Sequence, residues 1–526
     1  MSTPPATSEA LSRRELDCEL VDRLIGLIPA TSGRTSTVYA PMTAEPLAVM
    51  PTSGLDDVED AFAEARAAQS EWAALRPRAR AAVLSDFHDL VLDEQQTLLD
   101  FIQCETGKAR KHAFDEVLDT ALVANYYARR GPGFLAPQRR TGAIPVLTQT
   151  RVLHQPKGVV GIISPWNYPL SMGVTDGLAA IMAGNAIVQK PDSQTPLTAL
   201  LAVDLLHRAG MPRGLWQIVS GSGSVIGGAV IDHADFLCFT GSTATGKLVA
   251  QQAAARLVGC TLELGGKNAM LVLADADIDK AAEAAVRGCF SSAGQLCVSI
   301  ERLYLDEAIR EEFLSAFLAR VEALRLGPSF DWNTDMGSLI NAGQLATVRE
   351  HVEDALGKGA VLLAGGRQRP DLGPYFYEPT VLAETPHEAL CFTEETFGPV
   401  VSIFGFTSED DAIANANDGR YGLNASVWST DITRARSVAA RIKAGTVNIN
   451  EVYAAAWASV DAPMGGMRDS GLNRRHGVEG LLKYTEPQTV AVQRLHGITA
   501  PAFLDDERFA MVATAGLRML KLIGWS

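Results

Sequence analysis

The chain has 526 residues, 47% hydrophobic and 20% charged, with a formal net charge of −15. That length exceeds one ordinary compact domain, so two or more units with their own cores are expected. The composition is that of a folded globular protein, and the acidic balance excludes nucleic acid as a partner while leaving room for a local pocket for an anionic cofactor. No run of about 18 or more apolar residues occurs, so no membrane span is predicted. The first residues lack the apolar stretch of about 7 to 15 residues that a secretory signal needs. The cysteines at 18, 104, 238, 260, 289, 297 and 391 follow neither zinc-ligand spacing nor a disulfide framework. These features predict a cytoplasmic chain with reduced thiols and no metal site.

In chain order, residues 55 to 130 read as helical, because Val58, Phe62, Ala65, Val83, Phe87, Leu90 and Val91 recur at helical spacing. Gly131-Pro132-Gly133 is expected to end that region. From 141 to 157 two short strands are predicted to leave the main body as an arm, with Gly158 opening the next unit. Between 159 and 262 short β-branched runs alternate with helical stretches: VVGII (159–163), AIVQK (186–190), WQIV (216–219) and DFLCF (235–239). That alternation predicts an α/β unit with a Rossmann-like parallel sheet, whose ligands bind beyond the strands' carboxyl ends. The residues to inspect are therefore Ser164 to Asn167, Lys190 to Ser193, Gly221 to Gly223 and Thr240 to Ser242. From 263 to 485 a second set of alternating segments (MLVLA, RLYLD, AVLLAG, VVSIFGF, NASVWS, GTVNIN) predicts a second α/β domain. One more strand follows, then a tail from 501 to 526 that reads as an amphipathic helix packed on its own domain or a subunit partner, with a membrane surface as the other option.

The segment Phe290-Ser-Ser-Ala-Gly-Gln-Leu-Cys297 carries the most chemistry. A buried cysteine is ordinarily an inert small hydrophobe, but one beside Gly-Gln on an irregular segment can approach a substrate. Its thiolate can add to an aldehyde carbon, giving a tetrahedral adduct able to release hydride. Before it stands Leu262-Glu263-Leu264-Gly265-Gly266-Lys267-Asn268. A helical Glu263–Lys267 pair is one reading, but the glycines disfavour a helix and turn the chain directly after the carboxylate, which favours a general base facing a cleft. Ser164-Pro165-Trp166-Asn167-Tyr168-Pro169 follows a strand, and its prolines fix the direction of the Asn167 amide, which can serve an oxyanion or simply a turn. Lys190 with Asp192 and Ser193 leaves another strand end. Phe239-Thr240-Gly241-Ser242 runs from a strand into a helix and fits either a pyrophosphate site or an ordinary N-cap.

Together these segments, from about residue 50 to 490, resemble the aldehyde dehydrogenase superfamily, most closely its actinobacterial succinate-semialdehyde dehydrogenases. The resemblance implies Cys297 as nucleophile, Glu263 as base and Asn167 as oxyanion donor. It implies cofactor contacts from Trp166, Asn167, Lys190, Asp192, Ser193, Gly221, Gly241, Ser242 and Leu264, and from Glu395 and Phe397 in the motif Glu395-Thr-Phe-Gly-Pro399. Pro463-Met464-Gly465-Gly466 and Ser470-Gly471 would lie near the substrate entrance. The implied architecture is a cofactor domain (1–140 and 158–262), a catalytic domain (263–485) and an oligomerisation arm (141–157 and 486–500) of a homodimer or homotetramer.

Where NAD-preferring relatives carry a glutamate three residues after the lysine, this chain has Ser193. Removing that carboxylate removes the repulsion of a 2′-phosphate, so NADP is the expected cofactor, with NAD also accepted and Asp192 as a countervailing acid. The expected substrate is succinate semialdehyde, although Thr175 and Ser291 stand where many such enzymes place arginines. Ser459 survives at a third family position and is assigned to substrate binding. Arg474 and Arg475 are alternative cations, the latter where the family usually has glutamate. The alternative substrate is a neutral aliphatic or aromatic aldehyde. A thiol hydrolase would leave the nucleotide-type turns unexplained, a CoA-acylating enzyme would not need Glu263, and a catalytically dead homologue should lack at least one of the three reacting groups.

Overall fold

The structure, a computed structural model, describes residues 16–143, 148–494, 499–522 and 524. Two sheets organise it. In the first, the strands Val159–Ile163, Ala186–Lys190, Trp216–Ile218, Phe236–Thr240 and Gly259–Glu263 run parallel, and Gly471–Leu472 pairs antiparallel with Gly259–Glu263. Their continuous burial explains why they read as apolar runs rather than alternating ones. The second sheet has seven strands, and all pair in parallel except Val361–Ala364, which runs antiparallel at one edge.

The two strand series read from the sequence are present, with additions: besides the two-residue Gly471–Leu472, two more strands join them. Gly259–Glu263 and Thr380–Ala383 are strands that the pattern did not announce, one opening on glycine and the other only four residues long. The Gly-Pro-Gly stop needs correction. The helix Arg110–Phe134 runs through Pro132, because less than a turn remains beyond it and few ladder bonds are lost. Gly131 is required there by contact, since an added Cβ would lie 2.6 Å from Met182 Cγ.

The helical region divides into Leu55–Ala74, Pro77–Asp93, Gln95–Thr106 and Arg110–Phe134, which pack with the first sheet around one core. Val460, Leu481 and Tyr484 belong to that core too, so the chain returns to the first unit after the second sheet is built. A three-stranded antiparallel sheet stands apart: Thr485–Gln493 pairs over its whole length with Thr148–Pro156, which also pairs with Gln138–Arg140. Parts of the arm read from sequence, residues 144–147 and 495–498, lie outside the described residues. The tail is helical from Asp506 to Leu522 and buries none of its side chains fully. No helix among the described residues is long and apolar enough to cross a membrane.

The two sheets meet at the site. Ile163 pairs with Lys190, and Thr240 pairs with Glu263, so these strands end together at one edge. From Glu263 the chain crosses in four residues to Asn268, the first residue of a strand in the second sheet.

Candidate active site

Cys297 sits just before the strand Ile300–Asp306, on a segment whose backbone is held out of regular structure. Ser292, Ala293 and Gly294 have φ of 52°, 56° and 70°, left-handed values that cost energy for the first two. Long-range bonds hold them. Ser292 N–H donates to His112 Nδ1 at 3.1 Å, and Ser292 Oγ lies 3.0 Å from the Tyr168 hydroxyl. Gln295 accepts from the Ile340 N–H at 2.9 Å and donates to the Ser292 carbonyl at 3.1 Å. Asn268 Nδ2 donates to the carbonyls of Cys297 and Ser299 at 2.8 and 2.7 Å.

Cys297, Glu263 and Asn167 line one cavity, with Asp115, Tyr168, Met172, Trp457 and Arg475 among its other walls. The Cys297 thiol is pushed up to about 12, first by burial and then by the carboxyls of Glu395 and Glu263. Glu263 is the last residue of its strand, buried, with Oε1 lacking any hydrogen-bond partner among the described residues. Burial pushes its carboxyl up to about 7, and the guanidinium of Arg475 pulls in the opposite direction. The helical Glu263–Lys267 pairing does not form: Lys267 binds Glu301 at 2.5 Å instead, leaving Glu263 to the cavity. Gly465 keeps that space open, since a Cβ there would stand 3.2 Å from Glu263 Oε1.

Asn167 donates one amide hydrogen to the Gln295 carbonyl at 3.0 Å, which leaves the second hydrogen of its NH₂ for the cavity. The Asn167 backbone carbonyl accepts from Lys108 Nζ at 2.6 Å, and Lys108 is paired at 2.6 Å with Glu116, both fully buried. This ion pair under the Asn167 turn had no signal in the sequence, because a lone lysine in a helical region reads as a surface residue.

The expected cofactor residues gather along the carboxyl edge of the first sheet and the facing loop. Lys190 is 5% exposed and forms no ion pair among the described residues; burial pushes its pKa down, and Asp192 acts against that. Ser193 Oγ donates to the Gly221 carbonyl at 3.0 Å, and Asp192 accepts from the Gln194 N–H at 2.9 Å. Ser242 caps the helix Thr243–Ala255, and Gly241 N–H is spent on the Glu263 carbonyl at 3.1 Å. Leu264 packs against Gly246 so closely that a Cβ there would lie 2.4 Å from it. Glu395 accepts from the Gly266 N–H at 2.8 Å, and the rings of Trp166 and Phe397 meet edge to face at 5.4 Å.

Ser459 is not brought to the cavity. It is exposed, and its hydroxyl is spent on the Ala455 carbonyl at 2.7 Å, because it sits at the end of the short helix Ala454–Trp457. Thr175, buried nearby, receives a hydrogen bond from Arg475. Asp115, Tyr453 and Trp457 were not foreseen as wall residues, since chain positions more than 300 apart meet there.

The aldehyde dehydrogenase family model matches residues 28–490. The chain is 52% identical over 89% of its length to a Mycobacterium ulcerans protein named "Putative succinate-semialdehyde dehydrogenase [NADP(+)] 2", covering 90% of that protein. It is 36% identical to the mitochondrial succinate-semialdehyde dehydrogenase of rice, over 89% of this chain and 88% of the other. Among solved structures, an NADP-dependent enzyme of Escherichia coli superposes with a TM-score of 0.85 at 33% identity, covering 89% of this chain and 97% of the other. Betaine aldehyde dehydrogenase of Staphylococcus aureus in complex with NAD⁺ superposes with a TM-score of 0.85 at 29% identity, covering 93% of this chain and all of that one. With its two sheets meeting at a cysteine, a carboxylate and an amide, and a match over most of its length, the chain belongs to the aldehyde dehydrogenase family.

Proposed function

We propose that this chain oxidises succinate semialdehyde to succinate with NADP, through a covalent thioester on Cys297. The observation that carries the chemistry is the convergence of Cys297, Glu263 and Asn167 on one buried cavity. Relatives at about half identity, named for that substrate and cofactor, support the rest.

In this reading the Cys297 thiol releases its proton to solvent, and the sulfur bonds to the aldehyde carbon as the C=O π pair moves to oxygen. The free amide hydrogen of Asn167 and the backbone N–H of Cys297 hold the resulting oxyanion. When bound, the dinucleotide supplies the acceptor for the hydride that leaves that carbon. Glu263 then takes a proton from water, whose oxygen attacks the thioester carbon and releases the acid and the sulfur.

The residues present suit a dinucleotide. Lys190 is a buried cation without an ion-pair partner among the described residues, at a strand end beside a hydroxyl, Ser193, where a 2′-phosphate would be received. A carboxylate at 193 would repel that phosphate, so Ser193→Glu should lower the NADP-to-NAD ratio of kcat/KM about tenfold or more. An unchanged ratio overturns the cofactor assignment.

The neutral-aldehyde reading retains one specific support: apart from Asp115, Glu263 and Arg475 the cavity wall is uncharged. Initial rates on succinate semialdehyde, butanal and benzaldehyde, each with both cofactors, separate the two. Equal kcat/KM for charged and neutral aldehydes removes the semialdehyde assignment.

We further propose the three-part division read from the sequence, with residues 471–484 assigned to the first unit, whose sheet and core they join. The arm strand Thr485–Gln493 has, over residues 486–492, one edge that pairs with no strand among the described residues, with Val490 and Val492 exposed, and is our candidate contact for a homodimer or homotetramer in the cytoplasm.

A further inference from the structure

Among the described residues lining the cavity with Cys297, Arg475 is the cation, and its surroundings hold it in place without exhausting it. Its backbone exchanges two hydrogen bonds with Met464, at 2.7 and 2.9 Å. Its guanidinium reaches across to the helix Ser171–Ala183, where one terminal nitrogen lies 2.7 Å from Met172 Sδ and the other donates to Thr175 Oγ1. The carboxylate within ion-pair reach, Asp176 at 3.5 Å, is shared with Lys483, which is nearer at 2.9 Å. Asp119 and Glu263 are the other acids whose fields reach it. Nε is buried with no hydrogen-bond partner among the described residues.

A buried N–H donor left unpaired costs more than it would in water, and a guanidinium offers it in a rigid planar fork suited to a carboxylate. A substrate carboxylate entering this largely apolar cavity loses its hydration and must find such a partner. Asp115, which also lines the cavity, repels that carboxylate and so favours its pairing with the guanidinium.

Resting on the succinate-semialdehyde reading, we infer that Arg475 anchors the carboxylate at the far end of the substrate while Cys297 takes the aldehyde end. The residue is thus a specificity determinant held by Thr175 and Met464, and it orders charged above neutral aldehydes.

The test measures kcat/KM of the holoenzyme for succinate semialdehyde, glutarate semialdehyde and butanal, in wild type, Arg475→Met and Arg475→Lys, with thermal unfolding as a check on folding. The charged-to-neutral ratio should fall at least about 30-fold in Arg475→Met, the size of a lost charge-assisted hydrogen bond, and recover in part in Arg475→Lys. Succinate should raise the unfolding temperature of wild type but not of Arg475→Met. If Arg475→Met slows all three aldehydes alike and keeps the succinate shift, the arginine acts only through Glu263 or the fold, and the inference is overturned while the substrate reading stands. If wild type prefers glutarate semialdehyde and Arg475→Met abolishes that preference, the anchor stands and the succinate assignment falls. No preference for either charged aldehyde in wild type overturns both. Should Arg475→Met fail to fold, Arg475→Lys decides by the same ratio and the same succinate shift.

Discussion

The proposed base and the proposed nucleophile are held in opposite ways. Glu263 ends a strand in register with its neighbours, so the ladder of the first sheet fixes where its carboxylate begins. Cys297 follows a run of left-handed residues that no regular element supports, stitched down by side chains from remote parts of the chain. A proton acceptor tolerates small changes of aim, whereas a sulfur that must bond one carbon does not, and the segment carrying it is specified by more contacts. Regular structure suffices for the first task, while the second requires strain that the surrounding contacts offset.

The largest expected effect removes the tightly specified partner. Cys297→Ala should lower kcat by about four orders of magnitude or more, with dinucleotide binding retained by fluorescence titration. Measurable turnover near wild type would refute the covalent role, as would the absence of an acyl adduct at 297 in intact-mass spectra of quenched enzyme.

Glu263→Gln removes the loosely specified partner. A burst of reduced dinucleotide should be followed by a steady rate about 10²- to 10⁴-fold below wild type, because the thioester forms and then waits for an unactivated water. A uniformly slow progress curve without a burst would place Glu263 earlier in the reaction.

The strained segment can be tested without touching any reacting group. A Cβ at Gly294 would stand 2.0 Å from the Gly398 carbonyl, and its φ is 70°. Gly294→Ala should therefore cost about 3 kcal/mol in urea unfolding, or depress kcat sharply if the segment moves instead. Wild-type stability together with wild-type kcat would show that the segment is slack and the contrast overstated.

The smallest effect is on pH. Burial raises Glu263 to about 7 while Arg475 opposes the shift. The carboxylate form, the active base, prevails above that value, so a hydrolysis-limited kcat should plateau above pH 7 and fall about tenfold per unit well below it. Replacing Arg475 should move the break upward, since the neighbouring positive charge is lost. A profile flat from pH 5 to 9 would remove Glu263 from the rate-limiting step.

Much of this architecture was legible because its elements carry local signals. The buried parallel strands advertise themselves as β-branched runs, and Glu263, Asn167 and Lys190 lie at or just beyond strand ends, where such sheets present ligands. Cys297 was legible from its Gly-Gln neighbourhood and the family's spacing. The substrate wall was not. Asp115 is a mid-helix acid indistinguishable in sequence from a solvated one, Tyr453 and Trp457 bracket a single helical turn too short to carry a periodic signal, and Ser459, favoured by its position, ends with its hydroxyl spent on a helix carbonyl. Pro132 misled because a proline in a last turn costs little. These outcomes depend on tertiary contacts that no window of neighbouring residues contains.

The four-residue crossing between the sheets has a mechanical corollary. Glu263 leads directly to Asn268, whose amide grips the carbonyl of Cys297, so a short covalent span and one hydrogen bond tie the acid's strand end to the sulfur's segment. That tie lies between the two main sheets and involves neither the arm nor the exposed tail helix. Heating or cleavage that loosens either of those should therefore leave acid and sulfur aligned until the tie itself gives way.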